Sequence, residues 1–203
     1  MIKNSIFRKL SVALIALVTV LSTSTSAFAA TTPRYANNYY LAEGVGHIDY
    51  YIDSSASGYT NQINNAANNW VNTGFGYNPI YMYRTYNSNV SNMDIYVASG
   101  KQQMLMEQRG QDTVTVHVDV RTSGHVNVDP TQSFWDYGII YLNPECTAYY
   151  SDSWKQGCIA HEMGHVMGLN DNWSTSDSVM YPVTSSRRNT VGKADHDGIN
   201  AMY

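Results

Sequence analysis

The chain has 203 residues, 43% of them hydrophobic and 14% charged, with a formal net charge of −4. That length supports one domain with a real core. The acidic balance argues against nucleic acid or an anionic membrane as a partner.

The amino end carries Lys3, Arg8 and Lys9, then an apolar run over residues 10–21 and the small-residue pattern Ala27-Phe28-Ala29. The run is too short to cross a bilayer, so residues 1–29 read as a secretory signal peptide cleaved after Ala29. Losing three cations from −4 leaves the remainder at about −7. Residues 30–203 are therefore expected to form one soluble, secreted, extracellular domain, monomeric, with no membrane or nucleic-acid partner.

Residues 31–46, with Pro33 and Gly44-Val45-Gly46, read as an extended lead-in outside the folded unit. Residues 47–53 alternate as a first strand. Over 59–73, Ile63, Ala66, Ala67, Trp70 and Val71 share one helical stripe. The asparagines there lower helix propensity, so packing must hold the helix. Strands are predicted over 79–86 and 93–98, and a loop with one helical turn over 99–111. Residues 113–120 alternate cleanly, with Val114, Val116, Val118 and Val120 facing one way and Thr113, Thr115, His117 and Asp119 the other. A short strand is expected at 125–128. Residues 138–142 read as a strand buried on both faces. A helix capped by Asp152 or Ser153 should run to about Gly168, and residues 192–203 should close the chain as another. The basic pair Arg187-Arg188 reads as a solvated loop. This order predicts an α+β (mixed α/β) fold on one sheet with few helices.

Residues 161–165 read His-Glu-Met-Gly-His. On a helix, positions four apart lie on one face, so His161 and His165 can direct imidazole nitrogens at one metal ion. Glu162 can then reach a metal-activated water as general base. Gly168 stands where a helix often stops on positive φ. A sharp turn there returns Asp171 toward the metal as third ligand, completing a catalytic zinc site with one position left for water. Asp177 and His196 are the fallback ligands. Cys146 and Cys158 form an even, close pair, which in an oxidising exterior suggests a disulfide.

Residues 161–171 resemble the extended zinc signature of the metzincin metalloproteases, H-E-x-x-H-x-x-G-x-x-H, with Asp171 in place of the last histidine. Ser178-Val179-Met180-Tyr181-Pro182 resembles their Met-turn and is similar to the matrixin branch. An aspartate as third ligand resembles the snapalysin group of small secreted bacterial proteases. The resemblance spans residues 47–203. It implies a twisted, mostly parallel sheet with two main helices, the active-site helix, a Met-turn and a C-terminal helix. It also implies that His161 and His165 are ligands, Glu162 is the general acid and base, and Met180 supports the site. Tyr181 and Pro182 would wall the pocket for the side chain after the scissile bond. A sheet edge over 111–128 would pair with extended protein or peptide substrate. His117, Asp119 and His125 faintly resemble a structural zinc cluster, and structural Ca2+ is a further expectation.

The leading expectation is a secreted zinc endopeptidase. One rival is a zinc amidase acting on a non-protein amide such as cell-wall material. The other is a secreted binding or adhesion domain with a vestigial zinc site, which an intact Glu162 weighs against.

Overall fold

Residues 48–52 alternate Ile-Asp-Tyr-Tyr-Ile, and in the computed structural model they form β1 (Ile48–Ile52), with Ile48, Tyr50 and Ile52 turned into the core. The structure describes residues 39–100, 116–122, 126–144, 148–183 and 187–203. A 3-10 turn (Ser54–Tyr59), capped by the Asp53 side chain, leads into α1 (Thr60–Val71). β2 (Met82–Thr85), β3 (Met93–Val97), β4 (Val116–Arg121) and β5 (Tyr137–Leu142) complete the sheet. α2 (Asp152–Val166) and α3 (Lys193–Asn200) follow.

The strand order is β2-β1-β3-β5-β4. All pairs are parallel except β4 with β5. Among the described residues β4 is thus an outermost strand, antiparallel to its neighbour. Ile48, Ile52, Met93, Ile95, Ile140 and Leu142 share one buried cluster with Ile63, Ala66 and Trp70 of α1 and Ile159, Met163 and Val166 of α2. The opposite face of β5 packs Tyr137, Ile139 and Tyr141 with Ala98 and Tyr96. β5 is therefore buried throughout, as a central strand covered on both faces must be.

Three expectations about elements change. Leu41 is buried and bridges to Trp135, and Val45 is buried too. The end of the lead-in is thus part of the fold, because its apolar side chains find room at the sheet's end. β2 is shorter than 79–86, since Tyr81 pairs only through isolated backbone bonds to Val45 and Ile48. At 125–128 the described part is a single bridge from Asn127 to Arg121. The expected start of a strand at 113–115, the loop over 101–111 and His125 lie outside the described residues, as does the signal peptide over 1–29.

Candidate metal centre

α2 starts on Ser151, whose side chain accepts from the Trp154 amide at 3.3 Å, one residue before the expected cap. Two tryptophans fix the helix. Trp70 Nε1 donates to Ala160 O at 2.8 Å and Trp135 Nε1 to Val166 O at 2.7 Å. The second bond satisfies a carbonyl that the helix end would leave orphaned. Gly168 has φ +103°, and the amides of Gly168 and Leu169 donate back to His165 O and Gly164 O. This is a Schellman closure, which a side chain at Gly168 would strain; a Cβ there would also lie 2.8 Å from the Cβ of Tyr40.

The turn reverses the chain and returns Asp171 to the two imidazoles. His161 Nε2 and His165 Nε2 are 3.1 Å apart, and Asp171 Oδ1 lies 3.2 Å from the first and 3.6 Å from the second. Donors about 2.0–2.2 Å from one tetrahedral zinc stand roughly 3.3 Å from each other. Each Nδ1 faces a backbone carbonyl: His161 that of Val179 at 2.9 Å, His165 that of Leu169 at 2.8 Å. Those carbonyls select the Nδ1–H tautomer and turn both Nε2 lone pairs inward. Asp171 Oδ1 is buried and has no hydrogen-bond partner. Three lone-pair acceptors facing one another with no proton between them call for a cation, so the donor set fits a divalent metal.

Electrostatics agree. Burial holds His161 below its ordinary pKa, and burial followed by the neighbouring His161 pulls His165 down to about 4. Both are neutral, as ligation requires. Burial works against the Asp171 carboxylate, but the adjoining His161 and His165 rings, with Arg187 behind them, outweigh it and hold its pKa below the usual value. Glu162 is pushed up to about 8, chiefly by burial and further by Asp171, with Arg187 opposing. A dication nearby lowers such a carboxyl.

Met180 is buried, and its sulfur occupies the space a Cβ at Gly164 would need. That close approach requires glycine within the His-Glu-x-x-His turn. The Met180 carbonyl accepts from Asn172 N at 2.8 Å, tying the Met-turn to the segment bearing Asp171. Asp195 lies in the first turn of α3. It is fully buried and accepts from the Ser178 hydroxyl, from Val179 N at 2.7 Å and from Gly192 N at 2.8 Å. Because Val179 also contacts His161, Asp195 braces the first imidazole through one residue. Spacing gave no sign of this, since only the tertiary turn brings residues 178 and 195 together.

Both fallback ligands lie elsewhere. Asp177 is exposed and pairs with Arg188 at 2.6 Å. His196 is buried, with Nδ1 on Thr73 Oγ1 at 3.0 Å and Nε2 on the Asn200 amide at 2.9 Å, so neither nitrogen can turn to the site. Tyr181 and Pro182 are half-buried beside the site. Cys158 is buried in α2, and Cys146 lies outside the described residues. Of the second cluster, Asp119 lies 3.6 Å from Arg121 Nη2, while His125 and the His117 side chain lie outside what is described.

The reading of Arg187-Arg188 as solvated is corrected for Arg187. Its Nη1 lies 2.9 Å from Tyr181 O, 3.3 Å from Val179 O and 2.7 Å from His161 Nδ1. One ring nitrogen cannot accept from a guanidinium and donate to a carbonyl at once. The tautomer that frees Nε2 for a metal donates to Val179 O, and Arg187 then keeps Tyr181 O as its acceptor.

The fold is consistent with that of a metallopeptidase of the metzincin type. A family profile for the matrixins matches residues 47–203, and the chain belongs to that family. Among the described residues, the mostly parallel five-stranded sheet and three α-helices are consistent with it. Matrixins are zinc-binding metalloproteases, so the chain is a hydrolase acting on peptides. Among solved structures, that of myroilysin is similar at 11% identity and a TM-score of 0.47, covering 86% of this chain and 97% of its own. No curated protein matches the sequence.

Proposed function

We propose that the chain is a secreted zinc endopeptidase, released from its signal peptide after Ala29, monomeric, and closed by a Cys146–Cys158 disulfide. The reading rests on one observation: His161 Nε2, His165 Nε2 and Asp171 Oδ1 converge within 3.1–3.6 Å of one another, next to the half-buried Glu162. These three would hold a zinc ion, which would supply Lewis-acid chemistry toward a peptide carbonyl and a water.

The chain's own residues do the rest. Glu162 takes the proton of the attacking water and hands it to the leaving amine nitrogen. The Val179 and Leu169 carbonyls hold both imidazoles in the ligating tautomer. Met180 is the floor of the site, and Tyr181 and Pro182 wall the pocket for the side chain after the scissile bond. The outermost strand β4 takes extended substrate by backbone pairing.

The test is Glu162→Gln, assayed on casein with metal content measured in parallel. It should keep one zinc per chain and lose at least about 100-fold in turnover. Substantial residual proteolysis would reject the role of Glu162. Digestion of peptidoglycan but not casein by the wild type would favour the amidase rival instead.

A further inference from the structure

Arg187 is a half-buried cation beside the metal centre, and its ordinary bonding leaves half of it unused. Its Nη1 donates to the Tyr181 carbonyl at 2.9 Å, with that of Val179 at 3.3 Å. The nearest acceptor to Nη2 is Pro182 O, at 3.5 Å. Its Nε is buried and has no partner. Among the described residues no carboxylate forms an ion pair with it. Buried cations are normally paired, and buried N–H groups are normally bonded.

The unused edge has a definite shape. Nε–H and one Nη2–H are parallel donors, the fork that grips a carboxylate with two bonds. Position narrows the ligand further. Arg187 Nη1 is 2.7 Å from His161 Nδ1, on the far side of the ring from the donor nitrogen. The guanidinium therefore stands roughly 7 Å from where a ligated metal would sit, given metal–nitrogen bonds of about 2 Å. That is the reach of a side chain next to the bond being cut, not of one several residues away.

We infer that Arg187 is a specificity-determining residue, which takes the side-chain carboxylate of an aspartate or glutamate adjoining the scissile bond on the Tyr181–Pro182 side. The inference rests on the peptidase reading and names the substrate class of that same cleft. The bond is noncovalent: the guanidinium donates, the substrate carboxylate accepts, and no proton is transferred.

The test uses matched peptides that differ only at the flanking position, with Glu, Gln, Leu or Lys there. Cleavage sites are mapped and kcat/KM measured for zinc-loaded wild type, Arg187→Met, Arg187→Lys and Arg187→Glu. Wild type should favour Glu over Gln by about 10–100-fold, the range for hydrogen bonds to a charged group. Arg187→Met should bring that ratio near one, Arg187→Lys should keep only part of it, and Arg187→Glu should turn the preference toward Lys. A residue that merely clamps the turn would lower all four substrates together and leave their ratio unchanged, which would overturn the inference. So would a wild type indifferent to acid at that position. Binding of the labelled Glu and Gln peptides to Glu162→Gln, by fluorescence polarisation, separates the two levels. Acid-selective binding that Arg187→Met abolishes, without cleavage by the wild type, sinks the peptidase reading and keeps the role of Arg187. Cleavage without selectivity sinks Arg187 alone. If Arg187→Met does not fold, the Arg187→Lys ratio decides.

Discussion

Replacing Asp195 tests whether a carboxylate outside the metal centre holds that centre together. Its two oxygens accept from the Ser178 hydroxyl and from the amides of Val179 and Gly192, all within the protein interior. Alanine leaves two buried amides without partners, each costing about 1–3 kcal/mol. With the lost side-chain packing the total should be about 4 kcal/mol, a large share of the 5–15 kcal/mol typical of a domain. Asparagine keeps one acceptor oxygen for both amides, and its NH2 can donate to the Ser178 oxygen. It loses only charge assistance and should cost about 1–2 kcal/mol. The effect should reach the metal, because the Val179 carbonyl that Asp195 positions is the partner of His161 Nδ1. Loss of such outer support typically costs about 10–100-fold in metal affinity. Urea unfolding at saturating zinc and after chelation, with zinc affinity measured by a competing chelator, gives all three quantities. An alanine variant within about 1 kcal/mol of wild type, binding zinc as tightly, would refute the reasoning.

Asp171→Ala removes a direct donor, so its zinc affinity should fall by more than the roughly 100-fold of an outer-support change; competition with a chelator reads it, and an unchanged affinity would exclude Asp171 from the donor set. Asp171→His should move the acid limb of the pH–rate profile down, because an imidazole leaves the ion more positive than a carboxylate does; coincident profiles would contradict this. Gly164→Ala sets a Cβ against the Met180 sulfur and should destabilise by about 1–3 kcal/mol despite alanine's better helix propensity; a stabilised variant in a thermal melt would show that the Met180 contact yields freely. In the chelated protein, His165 should stay neutral to about pH 4 in an NMR titration, whereas a midpoint near 6.5 would mean the ring is not buried. The linked stability is full above about 6.5 and lost as pH falls toward 4. Glu162, raised to about 8, acts oppositely: its share is full below about 4.5 and lost as pH rises through 8. Unfolding of chelated wild type and Glu162→Gln across that range should differ with this sign.

The local signals in the chain were sufficient to bring His161, His165 and Asp171 together. Two histidines four apart fall on one face of any α-helix, and Gly168 marks the point where this helix must turn. His161, His165 and Asp171 are thus fixed by spacing and one backbone conformation, both local properties. The strands at β1, β3 and β5 were legible for the same reason, since alternation or an unbroken apolar run reports burial directly. Tertiary structure alone decided which far residues hold the site. Asp195 and Arg187 carry no periodic signature, and His196 and Asp177 stood as fallback ligands. What separates them is which face of a turn each occupies once the last helix docks. His196 is committed to Thr73 and Asn200, Asp177 to Arg188, and Asp195 to the turn under the metal. Spacing along the chain governs groups within one turn of helix, whereas contacts between residues 178 and 195 depend on packing that many residues settle together.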